Sequence, residues 1–262
     1  QRDFGNRVDR KLSRLKYTVD KLTVEGFKKE LENRIGFEFE PERKYTFTER
    51  SDRFGWEQNH QGKWFYTLFV EHGVVKPEQK QFLYELAQQD ISNFIFSGNQ
   101  NLILGEIEES NKSKVEALLL QHNIEKQVSA LRKNSMACVA LPTCPLALAE
   151  AQRYLPELVT KIEPILAKYE LSNDEISIRM TGCPNGCGRP YVAELGFVGT
   201  GPEQYNFMLG GDRFGERLNR IYKEKQTETQ ILEEVDVLLG RYVKEKFEKE
   251  TFGDFTFRTI LN

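Results

Sequence analysis

Apolar residues recur at helical spacing near the start of the chain. Leu12, Leu15, Val19 and Leu22, followed by Phe27 and Leu31, predict one or two helices over 6–35, weakly separated at Thr23-Val24-Glu25-Gly26. Residues 36–62 lose that period. They are aromatic and charge-mixed, with turn signals at Ser51-Asp52 and His60-Gln61-Gly62, and predict extended segments and loops. At Trp64-Phe65-Tyr66-Thr67-Leu68-Phe69-Val70 the pattern becomes that of a strand, with a turn at His72-Gly73. Pro77 then opens a helix through Phe82, Leu83, Leu86 and Ala87. Two strands, 93–96 and 101–104, flank the turn Ser97-Gly98-Asn99-Gln100, and a helix follows from Ser110 to Asn123. Strand–helix–strand–strand–helix is an α+β unit over 53–125.

A second α+β unit is expected over 126–262. Its predicted elements are a helix from Leu146 to Lys168 interrupted at Pro156 and Pro164, and a short strand Ile176-Ser177-Ile178-Arg179-Met180. Strands at 194–198 and 205–209 and a helix from Ile231 to Lys249 complete it. The preceding 1–52 reads as a helical basic segment and connector. The run Gly196-Phe-Val-Gly-Thr-Gly201 has the wrong spacing for a phosphate loop and is expected to be a hairpin turn. His60, His72 and His122 form no ligand-spaced set and are expected in loops or at the surface.

Composition narrows the function classes. The net charge of −3 leaves no basic excess for general nucleic-acid binding. No apolar run approaches a membrane span, and the charged opening residues are not those of a signal peptide. The sequence lacks an initiator Met and is expected to begin inside a longer protein or at a processing cut. Only four cysteines occur, all in one stretch of the second half, which suggests a metal or redox site in the cytoplasm.

Their pattern is Cys138-x5-Cys144, a wide gap, then Cys183-x3-Cys187. The first pair is too wide for a standard zinc knuckle. Iron–sulfur clusters also take four thiolates at more varied spacing. A cluster is favoured, with zinc and unligated thiols the other readings. Cys144 and Cys183 each precede a proline, and Cys144-Pro145 leads into a helix-forming run, so Cys144 is expected to cap a helix. The glycines of Cys183-Pro-Asn-Gly186-Cys187-Gly188 are expected to let backbone approach a bulky cofactor.

Cys138-Val-Ala-Leu-Pro-Thr-Cys144-Pro-Leu and Thr181-Gly-Cys183-Pro-Asn-Gly-Cys187-Gly-Arg-Pro resemble the paired motif of the sirohaem sulfite and nitrite reductases. Asn134-Ser-Met-Ala137, Asn206-Phe-Met-Leu-Gly-Gly211 and Phe252-Gly-Asp-Phe-Thr-Phe-Arg258 resemble the same family, so the likeness runs almost end to end. Arg213-Phe-Gly-Glu-Arg217-Leu-Asn-Arg-Ile-Tyr222 looks more like the sulfite branch, and nearest to assimilatory haemoproteins served by a flavoprotein.

The resemblance implies a ferredoxin-like half-module followed by a sirohaem and 4Fe–4S module. It implies that Cys138, Cys144, Cys183 and Cys187 hold one cluster, with Cys187 bridging to the sirohaem iron. Sirohaem is rimmed with carboxylates, and Asn185, Arg189 and the turn Asn99-Gln100-Asn101 are the candidates to meet them. The segment from Asp9 to Tyr17 resembles one that supplies basic substrate ligands, matched to Arg14 and Lys16 with Lys11 in reserve; a solvated helix face is the competing reading. The implied reaction is six-electron reduction of sulfite to sulfide, with nitrite reduction or a non-catalytic four-cysteine metal protein as alternatives. The implied partners are sulfite or nitrite, and an electron donor, either an NADPH-flavoprotein or ferredoxin. The family has two similar halves, and this chain resembles the later one, so the other half is expected as a partner.

Overall fold

The computed structural model describes residues 2–124 and 127–261. The chain divides at Thr46 into two compact units. The sequence-based boundary at Lys126 lies outside the described residues.

The first unit is a helical pair, α1 (Leu15–Leu22) and α2 (Val24–Ile35). Thr23 breaks the helices with a positive φ of 66° and caps α2 by accepting the Gly26 N–H at 3.2 Å. Little apolar surface is buried here: Thr18 is the one buried residue of α1, and α2 has none.

The second unit holds two sheets. In the first, β1 (Gly55–Gln58), β2 (Trp64–Leu68), β3 (Asn93–Phe96) and β4 (Leu102–Ile107) lie in the order β1-β2-β4-β3, all antiparallel. Alternation sends Tyr66, Leu68, Leu102 and Leu104 into a core with Phe82 and Leu86 of α3 (Pro77–Gln88) and Val115, Leu118 and Leu119 of α4 (Glu109–Gln121). Gln79 of α3 donates to Phe69 O at 2.8 Å and ties the helix to the strand's end.

The second sheet runs β5 (Ser135–Ala137), β6 (Ile178–Thr181), β7 (Leu195–Gly201), β8 (Gln204–Leu209) and β9 (Arg220–Gln226), in that order. The first three are parallel and the last two antiparallel. A four-residue helix, α5 (Ala130–Lys133), enters it. Ile178 and Met180 pack with Leu158, Val159 and Ile162 of α6 (Leu155–Lys168) and with Val235, Leu238 and Leu239 of α7 (Glu228–Glu245). Phe252 and Phe255 of α8 (Phe252–Ile260) close the same core.

Three expectations are corrected here. The helix placed from Leu146 begins only at Leu155. Leu146-Ala-Leu-Ala is a good helix former, but Leu148 and Ala149 both donate to Gly182 O, and that tertiary hold overrides propensity. The same helix runs through Pro164 unbroken. Gly196–Gly201 is the body of β7 rather than a turn; the hairpin turns at Pro202-Glu203. His72 sits in a turn as expected but is buried, with neither ring nitrogen partnered. Among the described residues no helix is long and apolar enough to cross a membrane.

Burial pushes the His72 imidazole from 6.5 down to about 4. The folded state therefore binds fewer protons than the unfolded chain between those values, and stability present above pH 6.5 is lost as pH falls towards about 4. Thermal midpoints of wild type and His72→Asn across pH 4–7 test this; Asn tolerates the positive φ but does not titrate. The wild type is expected to lose ground to the variant as pH falls. Parallel curves would show that His72 is not buried as a neutral ring.

Candidate cofactor site

β5 and β6 run side by side with Ala137 opposite Met180, so both strands end at the same level. Cys138 follows one directly, and Gly182-Cys183 follows the other. The two chains are joined there: Cys138 N–H donates to Met180 O at 3.1 Å. Cys138 Sγ in turn accepts from the Gly182 N–H at 3.3 Å and from Thr181 Oγ1 at 3.4 Å. Such donors around a sulfur are how a protein tunes a metal ligand.

The loop carrying Cys144 is folded back onto the same point. Cys144 N–H donates to Ala140 O at 2.8 Å, and the N–H groups of Leu148 and Ala149 converge on Gly182 O at 2.7 and 3.1 Å. Cys144 therefore lies in a loop and caps no helix, contrary to the sequence expectation. The second loop turns tightly, Gly186 N–H to Cys183 O and Arg189 N–H to Gly186 O, with Gly186 at φ +72°. Tyr191 packs beneath it and donates to Pro184 O at 2.9 Å. Burial, with Cys183 adding to it, pushes the Tyr191 phenol upward.

The glycines have a nearer purpose than admitting a cofactor. A Cβ on Gly182 would stand 2.6 Å from Ala149 O and 2.7 Å from Ala140 Cβ; one on Gly188 would stand 2.3 Å from Met180 O. Their absent side chains let the two cysteine loops pack against each other and the strands. Exposure rises through the set: Cys183 is buried, Cys138 and Cys144 half-buried, Cys187 exposed. Among the described residues no three Cys, His, Asp or Glu side chains converge as ligands of a single ion.

The first sheet contributes its β3–β4 turn. Arg189 Nη2 donates to Gly98 O at 2.6 Å and Asn99 Oδ1 at 3.0 Å, docking the turn beside the second cysteine pair. Asn99 and Asn101 both bond Asp52, and Asn101 Oδ1 accepts the Val70 N–H, so these two candidates hold the turn together. Gln100 spans to Ala137 O through Nε2 at 2.9 Å and leaves a buried Oε1 without partner. Asn185 is exposed on the Cys183–Cys187 loop.

One buried cation went unremarked in the sequence. Arg179 of β6 points away from the helices that cover Ile178 and Met180, is 4% exposed, and has no partner for Nε or Nη1. Burial, then charge repulsion from Arg50 and Arg189, pulls its guanidinium down to about 9. Arg50 is held by Val192 O at 2.7 Å and lies in the fields of Glu194 and Asp212. The strand alternation that put Ser177 and Arg179 on one face was the available signal.

Arg14 and Lys16 belong to the first unit. Arg14 precedes α1, and the Lys16 ammonium stands 4.8 Å from the Tyr17 ring centroid, a contact that a solvated helix face also makes. Lys11 is exposed in a single 3-10 turn, Arg10–Leu12.

Residues 57–122 match the nitrite/sulfite reductase ferredoxin-like half domain. The chain is 53% identical, over 98% of its length, to a sulfite reductase (NADPH) hemoprotein beta-component of Leptospira biflexa. It is 51% identical over 99% to that of Pseudoalteromonas atlantica, and 49% over 98% to that of Salmonella newport. The chain belongs to the nitrite and sulfite reductase family. It spans about half of those relatives, 48%, 46% and 46% of their lengths. In fold it is similar to the Mycobacterium tuberculosis NirA protein, with a TM-score of 0.85 at 23% identity, covering 98% of this chain and 50% of that one.

The donor set suits the centres this family implies. Four thiols lie on loops pinned to one another, the exposed Cys187 is open to a second group, and Arg179 and Arg189 supply cations for carboxylates, whereas Gln100 has given its amide N–H to Ala137 O and leaves only an acceptor.

Proposed function

We propose that this chain is the carboxy-terminal half of an assimilatory sulfite reductase haemoprotein, an oxidoreductase acting in the cytoplasm. In this reading Cys138, Cys144, Cys183 and Cys187 would hold a 4Fe–4S cluster, and the exposed Cys187 would also serve the sirohaem. The observation that carries it is the junction at Gly182, where hydrogen bonds draw the loops of Cys138, Cys144 and Cys183 to one point. We read the modules as 1–52, 53–125 and 126–262; the family match at 57–122 falls inside the middle one.

When bound, the coupled haem and cluster supply an iron that takes the substrate and a store of electrons for it. The chain's own residues do the rest. The Thr181 hydroxyl and Gly182 N–H orient Cys138 Sγ. The Cys183 side chain is shielded from water, whereas Cys187 stays accessible. Arg189 fixes the β3–β4 turn beside the second cysteine pair, and Gln100 ties that turn to the end of β5 by donating to Ala137 O. Basic side chains are needed for an anionic substrate and its proton supply, and Arg14 and Lys16 are the candidates. The names of the relatives carry NADPH, and we read the electron donor as a flavoprotein that accepts from it, with the first half completing the site.

Viologen-coupled assay of the intact protein with sulfite and with nitrite tests the reading. A higher kcat/KM for sulfite supports it; a preference for nitrite would move the chain to the other branch. Within the same assay, Lys16→Ala is expected to lower kcat/KM for sulfite by about 10-fold or more, with cofactor content unchanged. Unaltered kinetics would return Lys16 to a solvated helix face.

A further inference from the structure

Arg179 is the most anomalous side chain in the second unit. A buried guanidinium is normally paired, because an uncompensated charge in the interior is strongly destabilising. Here Nε and Nη1 are buried without an acceptor, and the nearest charges that act on it, Arg50 and Arg189, repel it. Both neighbours have their own acceptors: Arg50 has Val192 O and Asp212 O, and Arg189 has Gly98 O and Asn99 Oδ1. The unmet demand for negative charge is thus concentrated on Arg179.

Its position says what kind of anion would answer. Arg179 lies on the strand that runs directly into Cys183, opposite Met136 of the strand that runs into Cys138. Arg189 contacts Met136 Sδ at 3.6 Å and follows Cys187 closely in the chain. Arg179 and Arg189 lie by the same strand ends as the cysteine loops, with Arg179 on the strand face opposite Ile178 and Met180. We propose that the Arg179 guanidinium receives a peripheral carboxylate of the tetrapyrrole, with Arg189 and Arg50 adding long-range attraction. A carboxylate would answer this guanidinium with charge-assisted hydrogen bonds, so Arg179 would hold the tetrapyrrole by one of its arms. The inference rests on the sirohaem reading of the site. It adds to the residues already considered one that touches neither cysteine nor turn.

The test uses the 262-residue chain and uroporphyrin III, an iron-free porphyrin that carries only carboxylate arms. Fluorescence titration compares wild type with Arg179→Met, which keeps the length and removes the charge. The variant is expected to bind about 10- to 100-fold more weakly, the loss of one charge-assisted pair. Its melting midpoint without porphyrin is expected to equal or exceed the wild type's, because a buried unpaired charge has been removed. Equal porphyrin affinity in the two proteins, or no binding by either, overturns the proposal. So does a variant that melts well below wild type without ligand, since the guanidinium would then serve the fold through buried water. Competition by sulfate at the same concentration as porphyrin would show a small-anion site and also overturn it. If Arg179→Met loses porphyrin while the intact enzyme reduces no sulfite, the reductase reading fails and this inference stands.

Discussion

Replacing Cys187 by serine in the intact protein is expected to lower sulfite reduction more than about 100-fold, because outer-shell substitutions alone cost about 10- to 100-fold and in the proposed site this residue is itself a ligand. The fold is expected to survive. Cys187 is exposed, so the sulfur contributes no core packing that a hydroxyl would forfeit. Serine oxygen is a harder, poorer ligand for iron than thiolate. The visible spectrum should therefore change with activity, while the free energy of unfolding in urea stays within about 0.5 kcal/mol of wild type. Unchanged turnover and spectrum would show that another residue is shared between the two centres.

Gly188→Ala is expected to do the opposite: to damage the frame first and the cofactors through it. Its new methyl would stand 2.3 Å from Met180 O and 3.1 Å from Cys138 N, so it drives into the hydrogen bond that joins the two strand ends. Both obstacles are backbone at the end of the parallel pair, held by that hydrogen bond, so neither can rotate away as a side chain would. Overpacking of this kind costs on the order of 3 kcal/mol, a large share of the roughly 5–15 kcal/mol that holds a domain together. The urea midpoint should fall and iron content with it. Gly98→Ala is the control, since nothing lies within 4 Å of its added carbon, and it should be neutral within about 0.5 kcal/mol. Equal behaviour of the two variants would mean that the strand ends are not packed as described.

Much of the fold could be read from periodicity because its elements are amphipathic. Phe82 and Leu86, Val115 and Leu119, and Val235 and Leu239 all recur at helical spacing and all are buried. Elements without that signature escaped. β9, Arg-Ile-Tyr-Lys-Glu-Lys-Gln, is an edge strand whose charges suit solvent and discourage further pairing, so no alternation marks it. β1, Gly-Trp-Glu-Gln, offers a single apolar side chain, and the three-residue β5 is too short to show a period and exists because β6 lies alongside it. The false helix at Leu146 failed for the reverse reason: local preference was strong, and Gly182 O prevailed over it.

The site was legible in part. Thiols announce themselves by type and spacing, and the four cysteines needed no tertiary information. What each neighbour does was not legible. Asn99 and Asn101 look like cofactor ligands in sequence, yet their amides hold Asp52 and the turn. Arg179 looks like an ordinary strand residue, and only burial without a partner singles it out. Satisfaction of polar groups is a property of three-dimensional neighbours, and no linear pattern encodes it.

The most direct test is the metal, acid-labile sulfide and visible spectrum of the intact protein purified without oxygen. The account predicts iron in excess of acid-labile sulfide by the one haem iron, about five to four, no stoichiometric zinc, and tetrapyrrole bands over a broad iron–sulfur background. Stoichiometric zinc without sulfide, or thiols that all react freely with no iron bound, would contradict it.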